Sequence, residues 1–127
     1  MSNLQGFVPF DFDEGLPYVS VTQNGITFNK GAVLKLGKPS RVELLINPDT
    51  KQIAIRGCGK KTPRSNAFYK ENSRGVISVR WNMKDLLYTI QDMMSWNLEL
   101  EGYRVEGQLL KEEGAMLFDL NEAKKLE

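Results

Sequence analysis

Residues 24–57 constrain the fold of this chain more than any other stretch, because a strand, a helix and a hairpin follow one another there with almost no connecting residues. Asn24 and Gly25 predict a tight turn before the strand, since both residue types tolerate a positive φ. Residues 41–46 and 52–56 predict the hairpin, whose loop NPDTK has Pro and Asp where a type I turn favours them. The stretch therefore predicts a compact β-α-β-β unit.

The short helix of this unit has sequence signals at both ends. A strand over residues 26–28 precedes it, and the side chain of Asn29 can accept a free N–H group at the start of a helix over residues 30–36. Gly37 suits the end of that helix, and Pro39 prevents its continuation. We therefore expect one or two helical turns between the strands.

A second β-α-β-β succession is predicted in the other half of the chain. Residues 76–80 predict a strand, Asn82 can cap a helix over residues 83–94, and residues 103–109 and 115–120 predict strands around the turn KEEG. Apolar residues at helical spacing mark the buried face of that helix: Leu86, Leu87, Ile90, Met93 and Met94. The two halves share a pattern but little sequence identity, so the order is either an internal repeat or a coincidence.

We expect an α+β fold, mostly β, in which two β-α-β-β units form one small barrel-like domain with two short helices. Each unit alone has too few strands to bury both faces of its sheet, whereas two units packed about a pseudo-twofold axis would share one core. The predicted organisation is a single domain over residues 18–120, with halves at 18–57 and 75–120 joined by a basic loop at 58–74, preceded by an extended N-terminal arm at 1–17 and followed by a tail at 121–127.

The predicted arm contains three aromatic residues, Phe7, Phe10 and Phe12, and a proline among them disfavours a regular helix. Their rings either pack onto the surface of the domain or anchor a partner protein. Residues 18–22 then alternate between hydroxyl-bearing side chains and valines, which predicts the first strand of the domain.

Charge is strongly segregated along the chain, although the net charge is only +1. Residues 30–84 contain thirteen Lys and Arg against three acids, a net of +10. Residues 1–29 carry a net of −3, and residues 85–127 carry ten acids against four bases, a net of −6. Such asymmetry indicates that the middle third meets an acidic partner, or that it lies against the acidic C-terminal third of the same chain.

The composition excludes several kinds of chemistry. The absence of histidine removes a His general base, a Ser-His-Asp triad and a His-ligated metal, and Cys58 alone forms neither a zinc site nor an intrachain disulfide. We therefore expect a protein that is not an enzyme and holds no cofactor or metal. A single thiol is typical of the cytoplasm. No apolar run is long enough to span a membrane, and we expect no secretory signal.

Acidic pairs and the glycine-flanked cysteine could suggest further sites. Glu99 and Glu101 alternate as on one face of a strand, which predicts a solvated surface, and no calcium-loop spacing is present. The stretch around Cys58 lacks the spacing of a phosphate-binding loop. Neither feature predicts a ligand.

The predicted loop between the halves combines basic and aromatic residues. Basic side chains neutralise phosphates, and rings such as Phe68, Tyr69 and Trp81 can stack on bases. The alternative is a solvated basic loop whose rings are packed in the core. The candidate phosphate contacts are Lys30, Lys35, Lys38, Arg41, Lys60, Lys61, Arg64, Lys70, Arg74 and Arg80.

A glycine precedes a short strand, a lysine and an alanine lie in a helix that ends at Leu-Gly, Val-Glu opens the next strand, and two isoleucines lie in the last one: Gly25, Lys30, Leu36, Gly37, Val42, Glu43, Ile53 and Ile55. Through these residues the stretch 24–57 resembles the DNA-binding unit of the AbrB/SpoVT superfamily of swapped-hairpin transcription regulators. In that family two β-α-β-β units interleave their hairpins, usually in a homodimer and sometimes from two copies in one chain. DNA-binding members usually carry arginines beside the first strand, and residues 18–25 contain no Lys or Arg.

Two functions from different classes remain open. The first is a non-catalytic, AbrB-like nucleic-acid-binding protein, similar to a transcription regulator, that contacts DNA phosphates through the basic central segment. The second is a protein-protein interaction module, or an accessory protein of a mobile element, that binds an acidic protein and no nucleic acid. Either protein could form a homodimer.

Overall fold

The structure is a computed structural model that describes residues 3–8 and 15–126. It is mostly β, with a sheet curled into a half-barrel and two helices. The strands are β1 (Tyr18–Thr22), β2 (Gly25–Phe28), β3 (Arg41–Asn47), β4 (Gln52–Gly57), β5 (Ser65–Ala67), β6 (Val79–Trp81), β7 (Tyr103–Leu110), β8 (Ala115–Asp119) and β9 (Lys124–Lys125). The helices are α1 (Lys30–Lys35) and α2 (Lys84–Met94), and short 3-10 turns lie at Lys111–Glu113 and Leu120–Glu122.

One antiparallel sheet contains all of these strands, in the order β5-β3-β4-β8-β7-β1-β2-β6, with β9 paired to β7. Strands from the two portions of the chain are intermixed, because β1 pairs with β7, β2 with β6 and β4 with β8. The curl brings the first and last strands of this order together. The indole N–H of Trp81 on β6 donates to the carbonyl of Ala67 on β5 at 3.1 Å.

The inner face of the curled sheet encloses the core. Alternate residues point inwards along β1, β4 and β8, as with Val19 and Val21 on β1, and no polar side chain of the described residues is buried with them. The ring of Phe28 lies at the centre, with its centroid 5.1 Å from Trp81 and 5.9 Å from Phe118. Burial of such large rings is the main favourable term in folding a small β-rich chain.

Helix α1 begins and ends as predicted. The Asn29 side chain accepts the backbone N–H of Ala32 at 2.9 Å, which caps the first turn. At the other end Gly37 and Lys38 have φ of 89° and 53°, and their N–H groups bond to carbonyls in the last turn of the helix. This is the hydrogen-bond pattern of a Schellman motif, in which glycine relieves the cost of the left-handed conformation.

The start of α2 differs from the prediction. Its apolar face is buried as expected at Leu86 and Ile90, but the helix begins at Lys84 without a side-chain cap, and Asn82 does not cap it. The preceding strand β6 also runs over Val79–Trp81 rather than residues 76–80. The reason is tertiary pairing, because β2 ends at Phe28, the partner of Val79, whereas Val76 donates to the side chain of Asn72 in the preceding loop.

Three further segments depart from their predicted conformations. Strand β5 lies inside the stretch 58–74 that was expected to be a loop, because it pairs with the first three residues of β3. Glu99 and Glu101 lie in a turn closed by the Asn97 carbonyl, not on a strand. The segment expected to be a tail contains the short strand β9, which pairs with β7 after Leu120 is buried in the core.

In the described part of the N-terminal arm, the ring of Phe7 does not pack on the sheet. Phe7 is 74% exposed, and its N–H closes a turn with the carbonyl of Leu4. Phe10 and Phe12 lie outside the described residues. None of the helices in the described ranges has the length and apolar character needed to cross a bilayer.

Candidate functional site

A basic surface surrounds the start of β3. This strand lies between β4 and β5, so the connecting loop at residues 58–64 must pass around its first residues. The backbone confirms that approach, because the N–H of Cys58 donates to the carbonyl of Arg41 at 3.0 Å. We use "basic surface" for the cations that meet here: Lys38, Arg41, Lys60, Lys61, Arg64 and Lys70.

Arg41 ties the loop to the strand. Its Nε donates to the hydroxyl of Ser65 at 2.9 Å, and its Nη2 donates to the Ser65 carbonyl at 2.8 Å. The side chain is therefore half-buried and held in one orientation. A fixed guanidinium loses less conformational entropy when it meets a phosphate than a free side chain would.

The loop itself presents three exposed cations, Lys60, Lys61 and Arg64. A turn between Gly59 and Thr62 shapes it, with an N–H to carbonyl distance of 3.2 Å, and Arg64 has a φ of 60°. Within residues 3–8 and 15–126, none of these cations forms a salt bridge, so their charges face solvent.

Glu43 lies on β3 at the border of the basic surface, and Arg56 on β4 neutralises its charge. Glu43 and Arg56 are register partners on β3 and β4, and the Arg56 Nη2 lies 3.0 Å from the Glu43 Oε1. Both side chains are partly exposed, so the pair contributes little stability. It does remove an uncompensated negative charge from the border of the basic surface.

The basic surface continues on the N-terminal side of Arg41, the first residue of β3. The Lys38 ammonium lies 5.8 Å from the centroid of the Tyr69 ring, and the Tyr69 N–H donates to the carbonyl of Pro39 at 3.0 Å. Lys70 follows and is exposed. The two ends of the basic surface are therefore joined along β5, which runs from Ser65 towards Tyr69.

The aromatic residues expected to stack on bases are mostly unavailable. Phe68 is 7% exposed and Trp81 is 6% exposed, and both pack against Phe28 in the core. The loop therefore has solvated cations with core-packed rings, which is the alternative considered from the sequence. Tyr69 is half-buried beneath Lys38, so phosphate contacts dominate what this surface can offer.

The remaining four candidate cations lie elsewhere. Lys30 begins α1 and Lys35 ends it, which places Lys35 three residues before Lys38. Arg80 is on β6, with its Nη2 bonded to the Asn24 carbonyl at 3.0 Å. Arg74 lies in an exposed loop organised by the side chain of Asn72. The structure thus gathers six of the ten candidates around β3 and disperses the others.

Arg56 contributes to the site although no sequence pattern predicts its role. It neutralises Glu43, and that pairing depends on the register of β3 and β4. Glu112 and Glu113 lie in the turn before β8, where the Gly57 N–H donates to the Gly114 carbonyl at 3.2 Å. These acids adjoin the basic surface without forming an ion pair to it among the described residues.

A groove of about 440 Å³ lies on the outer face of β4, β8 and β7. Its lining mixes three carboxylates with two cations, namely Glu106, Asp119, Glu122, Arg104 and Lys124. This balance gives it no strong attraction for an anion. In the described residues no group of His, Cys, Asp or Glu side chains is placed to hold a metal ion, and Cys58 is a half-buried free thiol.

An aromatic stack away from the basic surface lies beside the short strand β9. The rings of Trp96 and Tyr103 are parallel, with centroids 3.8 Å apart. The Tyr103 hydroxyl donates to Glu101 at 3.1 Å, and Glu101 also pairs with Lys125 at 3.3 Å. Burial raises the pKa of Tyr103, and the carboxylate raises it further. This cluster anchors β9 to β7.

No family model, curated protein or solved structure matches this chain. What the protein binds is therefore inferred from the chemistry of its own surface.

Proposed function

We propose that this protein is a non-catalytic, AbrB-like nucleic-acid-binding protein, similar to a transcription regulator, that acts in the cytoplasm. The observation that carries the proposal is the basic surface, because the segments that carry its six cations surround the start of β3 and the adjoining Glu43 is neutralised by Arg56. A lone free thiol favours a reducing compartment.

Phosphate neutralisation is the mechanism that this surface favours. Each Lys or Arg that meets a phosphate of duplex DNA releases condensed counterions, so the logarithm of the binding constant falls with the logarithm of salt by about 0.9 per contact. Because Phe68 and Trp81 are buried, little base stacking adds to this term. Binding should therefore depend weakly on DNA sequence.

The strand order supports the finer architectural proposal, a single-chain pseudodimer of two β-α-β-β units. The successions β2-α1-β3-β4 and β6-α2-β7-β8 have the same order of elements. Exchange of corresponding strands preserves most of the pairings, since β2 pairs with β6, β4 pairs with β8, and β1 and β5 border β7 and β3 respectively. The β1–β2 pairing is the exception, because β5 and β6 are joined only by the Trp81 to Ala67 hydrogen bond among the described residues. A duplicated unit with interleaved strands explains this regularity.

Binding to labelled duplex DNA of random sequence, measured by fluorescence anisotropy over a salt series, tests the function. The variant Lys60→Ala/Lys61→Ala/Arg64→Ala removes the three exposed cations of the loop. The matched control Lys51→Ala/Lys84→Ala/Lys124→Ala removes three exposed lysines from outside the basic surface.

The wild type and the control should bind at low salt, and the loop variant should bind much more weakly. Its slope of log K against log salt should be smaller in magnitude by up to about 2.7, the value for three lost phosphate contacts. No binding of the wild type at low salt would contradict the proposal, and so would equal losses in the two triple variants.

A protein-protein interaction module is the second candidate, and exposed apolar side chains near the N-terminus favour it. Leu4, Phe7 and Val8 are each more than half exposed. An acidic protein could contact the basic surface while these side chains bind an apolar site on it. Capture of one specific protein on the immobilised chain after nuclease treatment, with no binding to duplex DNA, would favour this function.

A further inference from the structure

Arg41 uses only one edge of its guanidinium group to contact the protein. Its Nε donates to the hydroxyl of Ser65 at 2.9 Å, and its Nη2 donates to the Ser65 carbonyl at 2.8 Å. The Nε and Nη2 nitrogens share the side edge of the planar group, so Ser65 accepts both N–H groups of that edge. The end edge, where one N–H of Nη1 lies parallel to one N–H of Nη2, is not used by Ser65.

The end edge of Arg41 is in contact with water. Among residues 3–8 and 15–126, the Arg41 side chain forms no other hydrogen bond and no salt bridge. No side-chain nitrogen in that part of the chain is buried without a hydrogen-bond partner. Because Nη1 has no partner there, it must be solvent-accessible. The two parallel N–H groups can therefore meet a ligand.

The contacts with Ser65 leave the charge of Arg41 uncompensated, because a hydroxyl and a backbone carbonyl are neutral acceptors. Arg56 differs in this respect, since its Nε and Nη2 donate to the Glu43 carboxylate at 3.2 and 3.0 Å. Glu43 stands opposite Ser65 in the pairing of β3 with β5, yet its salt bridge is to Arg56 on β4. Arg41 thus offers a full positive charge to an anion.

Backbone pairing fixes both residues of the Arg41 to Ser65 contact. Ser65 is the first residue of β5 and stands opposite Glu43. Arg41 pairs with Ala67 on the same side, and on the other side its carbonyl accepts the N–H of Cys58 at 3.0 Å. A guanidinium held at two points between fixed strands cannot rotate freely. The direction of its end edge is therefore set before a ligand binds.

We infer that Arg41 binds one phosphate of the nucleic acid through both N–H groups of its end edge, and that Ser65 is the positioning residue that directs this edge. This inference rests on the proposed function and deepens it. The two parallel N–H groups match the two non-bridging oxygens of a phosphodiester, and such bidentate contacts are stronger than single ones. The exposed ammonium groups of Lys60 and Lys61 neutralise neighbouring phosphates as point charges.

The Nε–H group of Arg41 tests the positioning without any nucleic acid. In the isotope-labelled wild type, the proton of this group should exchange slowly with water, because it is bonded to the Ser65 hydroxyl. In Ser65→Ala the same proton should exchange faster. An Nε–H that exchanges equally fast in the two proteins would overturn the role of Ser65, whatever the protein binds.

Binding to duplex DNA at low salt, measured by fluorescence anisotropy, tests the phosphate contact. Ser65→Ala keeps every charge and should weaken binding by roughly two- to tenfold, because the Arg41 side chain must then be ordered on binding. The slope of log K against log salt should match the wild type, since no cation is lost. Ser65→Thr retains the hydroxyl and should restore the wild-type affinity.

A double-mutant cycle separates positioning from damage to β5. Arg41→Lys keeps the charge but lacks the fork of N–H groups, so it should weaken binding, and adding Ser65→Ala should weaken it no further. The matched cycle of Arg104→Lys and Ser20→Ala replaces the same residue types at register partners on β7 and β1, outside the basic surface. It should leave the affinity unchanged. Additive losses in the Arg41 cycle, or equal losses in both cycles, would overturn the inference.

Failure of this inference is distinguishable from failure of the proposed function. A wild type that binds DNA, with Ser65→Ala and Arg41→Lys binding equally well, would contradict the bidentate contact but not the basic surface. A wild type that does not bind DNA would overturn both. In that case, binding to phosphatidylglycerol vesicles that weakens in Arg41→Lys would identify a lipid headgroup as the source of the phosphodiester. Matching circular dichroism spectra would establish that all variants are folded.

Discussion

The backbone N–H of Gly57 donates to the carbonyl of Gly114 at 3.2 Å, which places the acidic turn before β8 beside the end of β4. The basic surface begins at that same end of β4, with the loop that carries Lys60 and Lys61. Cations and acids from the oppositely charged thirds of the chain therefore meet at one border, although no ion pair links them within the described residues.

Removing the acids at this border should strengthen DNA binding. Glu112→Gln/Glu113→Gln should raise affinity for duplex DNA by roughly two- to fivefold at low salt, because each surface charge contributes a few tenths of a kcal/mol. The gain should vanish at high salt as the charges are screened. The control Glu99→Gln/Glu122→Gln removes the same charge elsewhere and should change the anisotropy titration less.

Two asparagines at helix starts should differ in their contribution to stability. Asn29 accepts the N–H groups of Ala32 and Tyr18, both at 2.9 Å, and donates to the Leu16 carbonyl at 2.7 Å. Asn29→Ala should therefore lower the free energy of unfolding by about 2 kcal/mol, from the lost cap and the lost bonds to the neighbouring chain. Asn82 does not cap α2.

Urea denaturation of Asn29→Ala and Asn82→Ala measures this difference directly. Asn82→Ala should change the free energy of unfolding by less than about 0.5 kcal/mol, as substitutions at exposed positions usually do. Equal losses in the two variants would mean that the Asn29 side chain does not join α1 to the start of β1.

A glycine on β7 should not accept a side chain. A Cβ at Gly107 would lie 2.7 Å from the Met116 sulfur and 2.8 Å from a ring carbon of Phe118, both in the core. Gly107→Ala should cost about 1–3 kcal/mol through overpacking, towards the lower end if the methionine rearranges. Gly59→Ala, which meets no atom within 4 Å, should leave the thermal midpoint nearly unchanged.

Phe68 should matter for stability rather than for ligand contact. Its ring lies 5.3 Å from Phe28 and 6.0 Å from Trp81, so Phe68→Ala should destabilise the fold by about 3 kcal/mol or more. Under conditions where the variant is folded, its affinity for DNA should match the wild type. A stable Phe68→Ala variant with weakened DNA binding would indicate that the ring stacks on bases.

Local elements of the fold could be predicted from the sequence because their determinants are local. The hairpin of β3 and β4 depends on its turn residues, and α1 depends on Asn29 and Gly37, which are all neighbours in the chain. The pairing of β1 with β7 joins distant segments, and no short pattern specifies it. Strand β5 could not be predicted from its sequence, because its three residues have weak strand propensity and depend on pairing with β3.

In the candidate site, too, the features that depend on neighbouring residues could be predicted, and those that depend on distant contacts could not. The exposure of Lys60, Lys61 and Arg64 follows from a polar loop rich in glycine, so it could be anticipated. The burial of Phe68 could not, because it depends on the distant Phe28 and Trp81 closing around the ring. The role of Arg56 required the register of β3 and β4.

Chemical-shift mapping of backbone amides, with duplex DNA added to the isotope-labelled protein, tests the central claim most directly. The account predicts that shift changes concentrate at residues 38–41 and 58–70, where the basic surface lies, and that they diminish as salt is raised. The amides of α2 (Lys84–Met94) should change little. Shift changes centred on α2, or none at low salt, would contradict the proposal that this basic surface binds nucleic acid.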